Sequence, residues 1–155
     1  KGPKGKYIEN LDPDATILGN SQWNWLESEL KDQFDFLMIF SSIQIIAEDH
    51  PYEKWNNFPH EKEKLFNMLN KYNDKTLFVS GDRHRGGIYK ESGIYEITAS
   101  SLNKPGSNFD ETDTSLIDRT YNQENYGLLE VSETKINVLL KDVNGKILNM
   151  VSLKY

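Results

Sequence analysis

Residues 76–84 read Thr76-Leu77-Phe78-Val79-Ser80-Gly81-Asp82-Arg83-His84, a short apolar block running straight into a polar tip. The block at 76–79 is bounded by turn-forming residues, as expected for a strand buried in a sheet. In open α/β sheets, ligand sites form just beyond the carboxyl ends of strands. Residues two apart in extended backbone share a side, so Asp82 and His84 are expected to converge while Arg83 points elsewhere. A carboxylate and an imidazole suit Zn, Mn, Fe and, through the carboxylate, Ca. Gly81 leaves room for close approach of the backbone to a ligand. The bland counterpart is a turn cap beside a surface histidine, and four residues alone do not separate the two.

Working outward, residues 35–40 (DFLMIF) form another continuous apolar run, expected to be a strand covered on both faces. A loop rich in Asp, His, Pro, Trp and Asn follows at 41–58. Pro59 then pre-sets a helix start. Leu65, Phe66, Met68, Leu69 and Tyr72 form the buried stripe of that helix, with Glu61, Lys62, Glu63 and Lys64 in or near its first turns. Strand, helix, strand implies a parallel pair joined by a right-handed crossover. Further upstream, Asn20 is expected to cap a helix carrying Trp23, Leu26 and Leu30 at helical spacing. Residues 1–11 read as a loop or a cut end.

Downstream, 87–90 and 94–98 predict a hairpin around Glu91-Ser92-Gly93. The polar stretch 101–123 is too long for an ordinary connection and reads as a functional loop. Residues 126–131, 135–141 and 146–153 predict an antiparallel meander, the last two strands turning at Asn144-Gly145. The fold class is therefore α/β (α+β), a mixed sheet ending in an antiparallel meander. The 155 residues fit one domain by length.

Composition narrows the function classes. Lys+Arg total 18 against 24 Asp+Glu, a formal charge of -6, which argues against nucleic acid as a stable partner. No cysteine is present, which excludes disulfides, thiolate zinc sites and a cysteine nucleophile. No apolar run reaches the roughly 18 residues that a membrane span requires.

Four blocks, in order, carry a resemblance: LGNSQWNWLESEL, FLMIFSSIQIIAEDHPYEKWNNFPHEKEKLFNML, TLFVSGDRHRGGIYKESGIYEITASSLN and NYGLLEV. Together they resemble the closing half of the PhoD-like alkaline phosphatases, within the calcineurin-like metallophosphoesterase superfamily. The resemblance implies a β-sandwich flanked by helices, built around a two-metal centre of Fe, Ca, Mn or Zn that hydrolyses small phosphate mono- or diesters. It also implies an extracytoplasmic location. Asp82 stands where the superfamily's Gly-His-x-His loop has its first His, and His84 where it has its second, so each is expected to ligate a different metal. The His expected after the preceding core strand has no match: Phe40 is followed by Ser41-Ser42-Ile43-Gln44, and whether Ser42 or Gln44 faces the site is open. The family's earlier metal motifs belong to the amino-terminal half and do not occur here. The isolated chain is thus expected to hydrolyse little until that half completes the centre.

Other candidates have bland alternatives. His60, at a helix start where positive partial charge accumulates, is the catalytic candidate, contacting phosphate or supporting the metal ligands from behind; the preferred alternative is a packing or capping histidine. Asn57, with Trp55 and Asn56, lines a substrate cleft or anchors the long loop. Arg85 contacts substrate phosphate or, as preferred for Arg83, forms a salt bridge. Ser100, Ser101 and Asn103 follow a strand as hydroxyl and amide donors, with no Ser-His-Asp grouping to make a nucleophile. His50 is read as an exposed loop residue. Beside the hydrolase stand two alternatives: a non-catalytic module binding a ligand or partner through 101–123, and a structural half-domain.

Overall fold

The computed structural model describes Gly2 and residues 6–106 and 110–155; parts of the 1–11 segment and of the 101–123 loop lie outside the described residues. Two helices, α1 (Gly19–Glu29) and α2 (Pro59–Leu69), accompany eight strands: β1 (Leu37–Phe40), β2 (Thr76–Ser80), β3 (Gly86–Glu91), β4 (Ile94–Ala99), β5 (Leu116–Tyr121), β6 (Asn125–Val131), β7 (Lys135–Asp142) and β8 (Ile147–Lys154). The strands form a five-stranded mixed sheet, ordered β1-β2-β4-β3-β5, and a three-stranded antiparallel sheet, β6-β7-β8. β1, β2 and β4 run parallel, β3 antiparallel to β4 and β5 antiparallel to β3.

The inner strands of the larger sheet are covered on both faces, and their two-residue period shows it. Phe78, Tyr89 and Ile94 pack with Leu26, Leu65 and Leu69 on the helical side. Leu77, Ile88 and Ile97 pack with Ile136, Val138 and Leu140 of the meander. The result is three layers: helices, mixed sheet, meander. The parallel strand pair, the hairpin at 91–93 and the meander match the sequence expectation. Ser92 and Gly93 take φ of 50° and 89°, the conformation a tight hairpin turn needs.

Three expectations fail. β1 is an edge strand rather than one covered on both faces; Met38 is 38% and Phe40 72% exposed. An apolar run reports that a strand seeks cover, not that cover is present. The stretch 101–123 contains β5, whose Asp118 and Arg119 gave no apolar alternation to read. Asn20 does not cap α1, which starts one residue earlier at Gly19 without a side-chain cap from Leu18.

The first turn of α1 is tied elsewhere. Thr16 Oγ1 accepts from the Gly19 amide at 2.8 Å. Glu61, in the first turn of α2, accepts from the Ile17 amide at 2.8 Å, from Thr16 Oγ1 at 2.8 Å and from Trp23 Nε1 at 2.7 Å. Burial opposes the charge on Glu61, yet these donors hold its carboxyl below the usual range. One buried acid therefore joins the start of α1 to α2. Replacing Glu61 with Ala strands the indole and amide donors, so urea unfolding should show a loss of about 2–4 kcal/mol at unchanged slope.

Candidate functional site

The loops that follow β1, β2 and β4 meet at one end of the mixed sheet. A Cβ built on Gly81 would lie 3.8 Å from Ser100 Cβ and 3.9 Å from the Ser42 carbonyl. The loop 81–85 is not extended as expected: Asp82 and His84 both take positive φ, 68° and 53°. Burial nevertheless alternates along it. Asp82 and His84 are exposed, whereas Arg83 and Arg85 are 8% and 4% exposed. Among the described residues, no hydrogen bond or ion pair engages the side chain of Asp82 or His84.

Beneath the loop lies a polar cluster. Arg83 forms an ion pair with Glu111, donates from Nε to Gln44 Oε1 at 3.2 Å, and stacks 4.6 Å over the Tyr52 ring. Arg85 reaches the same carboxylate at 3.4 Å. Tyr89 donates its hydroxyl to Glu111 at 2.9 Å; burial, then the Glu111 charge, push that phenol well above its ordinary range. Gln44 also donates to Thr98 Oγ1 at 2.8 Å, so Gln44 rather than the exposed Ser42 lies under the loop. Glu96 on β4 accepts from the amides of Ile45 and Ile46 at 3.0 and 2.6 Å and is fully buried, which raises its carboxyl. Asp113 accepts from the amides of Glu48 and Asp49 at 2.6 and 2.9 Å; these and Ser115 outweigh burial and lower its carboxyl.

His50 is not an exposed loop residue. It is 8% exposed, its Nδ1 accepts from the Tyr52 amide at 3.2 Å, and burial followed by the Arg83 charge lower its pKa to about 3. The ring is neutral at neutral pH and serves the loop. His60 bonds through Nε2 to the Ala15 carbonyl at 2.7 Å. Asn57 is buried, with Oδ1 accepting from the Lys54 amide at 3.0 Å and its carbonyl from the Asn10 amide at 2.7 Å. No hydrogen bond links His60 or Asn57 to Asp82 or His84. Trp55 is a buried anchor, edge-on to Trp23 at 6.2 Å. Ser100 donates its hydroxyl to the Arg85 carbonyl at 3.2 Å, and Ser101 donates to the Gln123 carbonyl at 2.9 Å. Glu111 went unrecognised in the sequence because it sits in a polar stretch with no periodicity.

Chemically, Asp82 and His84 offer two free metal donors at a strand end, above a cationic underlayer. Among the described residues, no group of three or more His, Asp or Glu side chains is placed to hold a metal ion. The donors present fit part of a metal site.

No family model matches the chain, and no curated protein matches it in sequence. Solved structures do. GAP50, the anchor in the inner membrane complex of Plasmodium, matches 86% of this chain and 42% of its own, with TM-score 0.71 and 16% identity. PhoD matches 92% of this chain and 33% of its own, with TM-score 0.69 and 12% identity. A dimetal phosphatase from Danio rerio matches 96% and 45%, with TM-score 0.56 and 15% identity. The chain therefore spans less than half the length of each. At these identities the likeness is one of architecture alone: the chain has the fold of part of PhoD and of the dimetal phosphatase.

Proposed function

We propose that this chain is part of a metal-dependent phosphoesterase acting on small phosphate mono- or diesters, in which Asp82 and His84 each ligate one ion of a two-metal centre. The observation that carries this reading is the pair itself: two unengaged donors, exposed at the tip of β2. Fold likeness to PhoD and to a dimetal phosphatase supports the reaction class. When bound, such metals supply positive charge for the phosphoryl oxygens and acidify water. The chain's own part is to present a carboxylate, which suits Fe, Ca or Mn, and an imidazole, which suits Fe or Zn. Arg85, engaged with Glu111, adds positive potential from below; His60 and Asn57 hold neighbouring segments.

Catalytic metal sites commonly use at least three protein ligands per ion, so the remaining donors come from polypeptide outside these 155 residues. The apolar groove along β1, about 730 Å³ and lined by Trp25, Leu26, Met38 and Phe40, supports a seat for that polypeptide. β1 leaves one edge unpaired, and Trp25 and Phe40 are 60% and 72% exposed. Its occupant is a segment of the same fold that adds a strand to β1. A second reading, a non-catalytic relative, draws on the lack of a third nearby donor among the described residues and on the fold likeness to GAP50, an anchor.

In the completed protein, Asp82→Ala and His84→Ala should each cut bound metal and turnover together, by about 100-fold or more in activity; mass spectrometry finding unchanged metal content would remove their ligand role. On its own, the 155-residue chain should turn over p-nitrophenyl phosphate and bis-p-nitrophenyl phosphate little above background with Mn, Ca or Fe. Robust turnover would show that the site is whole. Phe40→Asp should leave the lone chain's stability within about 0.5 kcal/mol, because the side chain is exposed, but should dissociate or destabilise the completed protein. Light scattering that shows a dimer of the lone chain, lost in Phe40→Asp, would reassign the groove to a second copy.

A further inference from the structure

We infer that Glu111 is a positioning residue for Asp82 and His84, acting through the two buried arginines that alternate with them; the inference rests on the ligand roles proposed above. Positive φ is sterically disfavoured for residues with a Cβ and persists where the surroundings over-determine it. Here it occurs at Asp82 and again at His84. The side chains that turn inward, Arg83 and Arg85, both end on the Glu111 carboxylate, itself 1% exposed. With both guanidinium groups drawn under the loop, Asp82 and His84 are left on its outer side. Arg83 is further fixed by Gln44 and Tyr52. The backbone is fixed as well: the Gly106 amide donates to the His84 carbonyl at 2.5 Å, and a Cβ on Gly106 would lie 2.8 Å from that oxygen.

Charge makes Glu111 hard to replace. Two buried guanidinium groups share one carboxylate, Lys54 is buried nearby, and His50 is held neutral beside them. The other two acids of this cluster are already filled, Asp113 by the amides of Glu48, Asp49 and Ser115, and Glu96 by the amides of Ile45 and Ile46 and the Ser80 hydroxyl. An amide in place of Glu111 therefore removes the carboxylate from beside the buried Arg83 guanidinium, which must seek water and carry the loop with it.

The test uses the completed protein, in which the remaining donors are present, with Mn²⁺ as the probe and two readouts: Mn²⁺ affinity by electron paramagnetic resonance, and amide exchange. Glu111→Gln should weaken Mn²⁺ by about tenfold or more, the scale of groups that orient ligands. It should also speed exchange at Arg83 and Gly106 by about as much, with the β7 amides unchanged. Arg83→Gln should reproduce both effects from the other end of the tether if Glu111→Gln does not fold. Glu111→Asp, which keeps the charge, should recover part of both. Unchanged Mn²⁺ affinity in Glu111→Gln, against a loss in Asp82→Ala, would overturn the positioning role and leave the ligand roles standing. If Asp82→Ala and His84→Ala do not alter Mn²⁺ binding, the ligand roles fail instead. Exchange at Arg83 and Gly106 then decides whether Glu111 sets the loop, and unchanged exchange overturns it.

Discussion

Two guanidinium groups closed on one buried carboxylate organise the end of the sheet where Asp82 and His84 stand. Arg83 and Arg85 come from the loop after β2, Glu111 from the segment before β5, and Tyr89, which also reaches Glu111, from β3. The loop after β2 and the adjoining strand β3 are therefore joined to a segment 22 to 28 residues further on through a single side chain. Desolvating charges is costly, and the cost is offset only where geometry and extra hydrogen bonds are good. Gln44, Tyr52 and Tyr89 supply those extra contacts here. The positive-φ loop that presents Asp82 and His84 is built on top of this cluster.

The same device recurs through the molecule. Glu61 holds the segment before α1, Glu96 the loop after β1, and Asp113 the amides of Glu48 and Asp49. Each is a buried acid receiving backbone N–H groups of a segment without regular structure, which would otherwise carry unsatisfied donors. The acidic excess is thus partly internal. A surface-only view of the -6 charge misses these acids, which act as anchors for loops rather than as a solvated shell.

That division explains what could be read from the residues alone. Periodicity places β2, β3, β4 and the meander because apolar alternation is local, and Pro59 marks α2 because proline's φ is fixed. Position also singled out Asp82 and His84, since a polar tip after a buried strand is visible in the chain. Long-range polar pairing leaves no such mark. Glu111 bonds across 28 residues to Arg83, Glu96 across 51 to Ile45, and Asp113 across 65 to Glu48. For the same reason His50 reads as exposed beside Asp49 and Pro51, although it is 8% exposed and packs against Tyr52. β5 escaped notice because its middle is Asp118-Arg119, and Asn20 attracted a capping role that Thr16 and Glu61 fill.

The edge of the sheet completes the physical picture. β5, at one edge, carries Asp118 and Arg119, charges that discourage further pairing. β1, at the other, carries Leu, Met, Ile and Phe with none of these protections, and α1 leaves Trp25 exposed beside it. Apolar side chains on both faces of an unprotected strand belong in an interior. The neighbours in fold are more than twice as long as the parts they share with this chain. The exposed Asp82 and His84 at the end of β2 and the uncovered apolar edge at β1 are adjacent in the same sheet, since β1 and β2 pair directly. One added strand along β1 would both bury Phe40 and bring its own carboxyl or amino end to the tip where Asp82 and His84 stand. Under the function proposed above, the strand that completes the sheet would thus also complete the metal site.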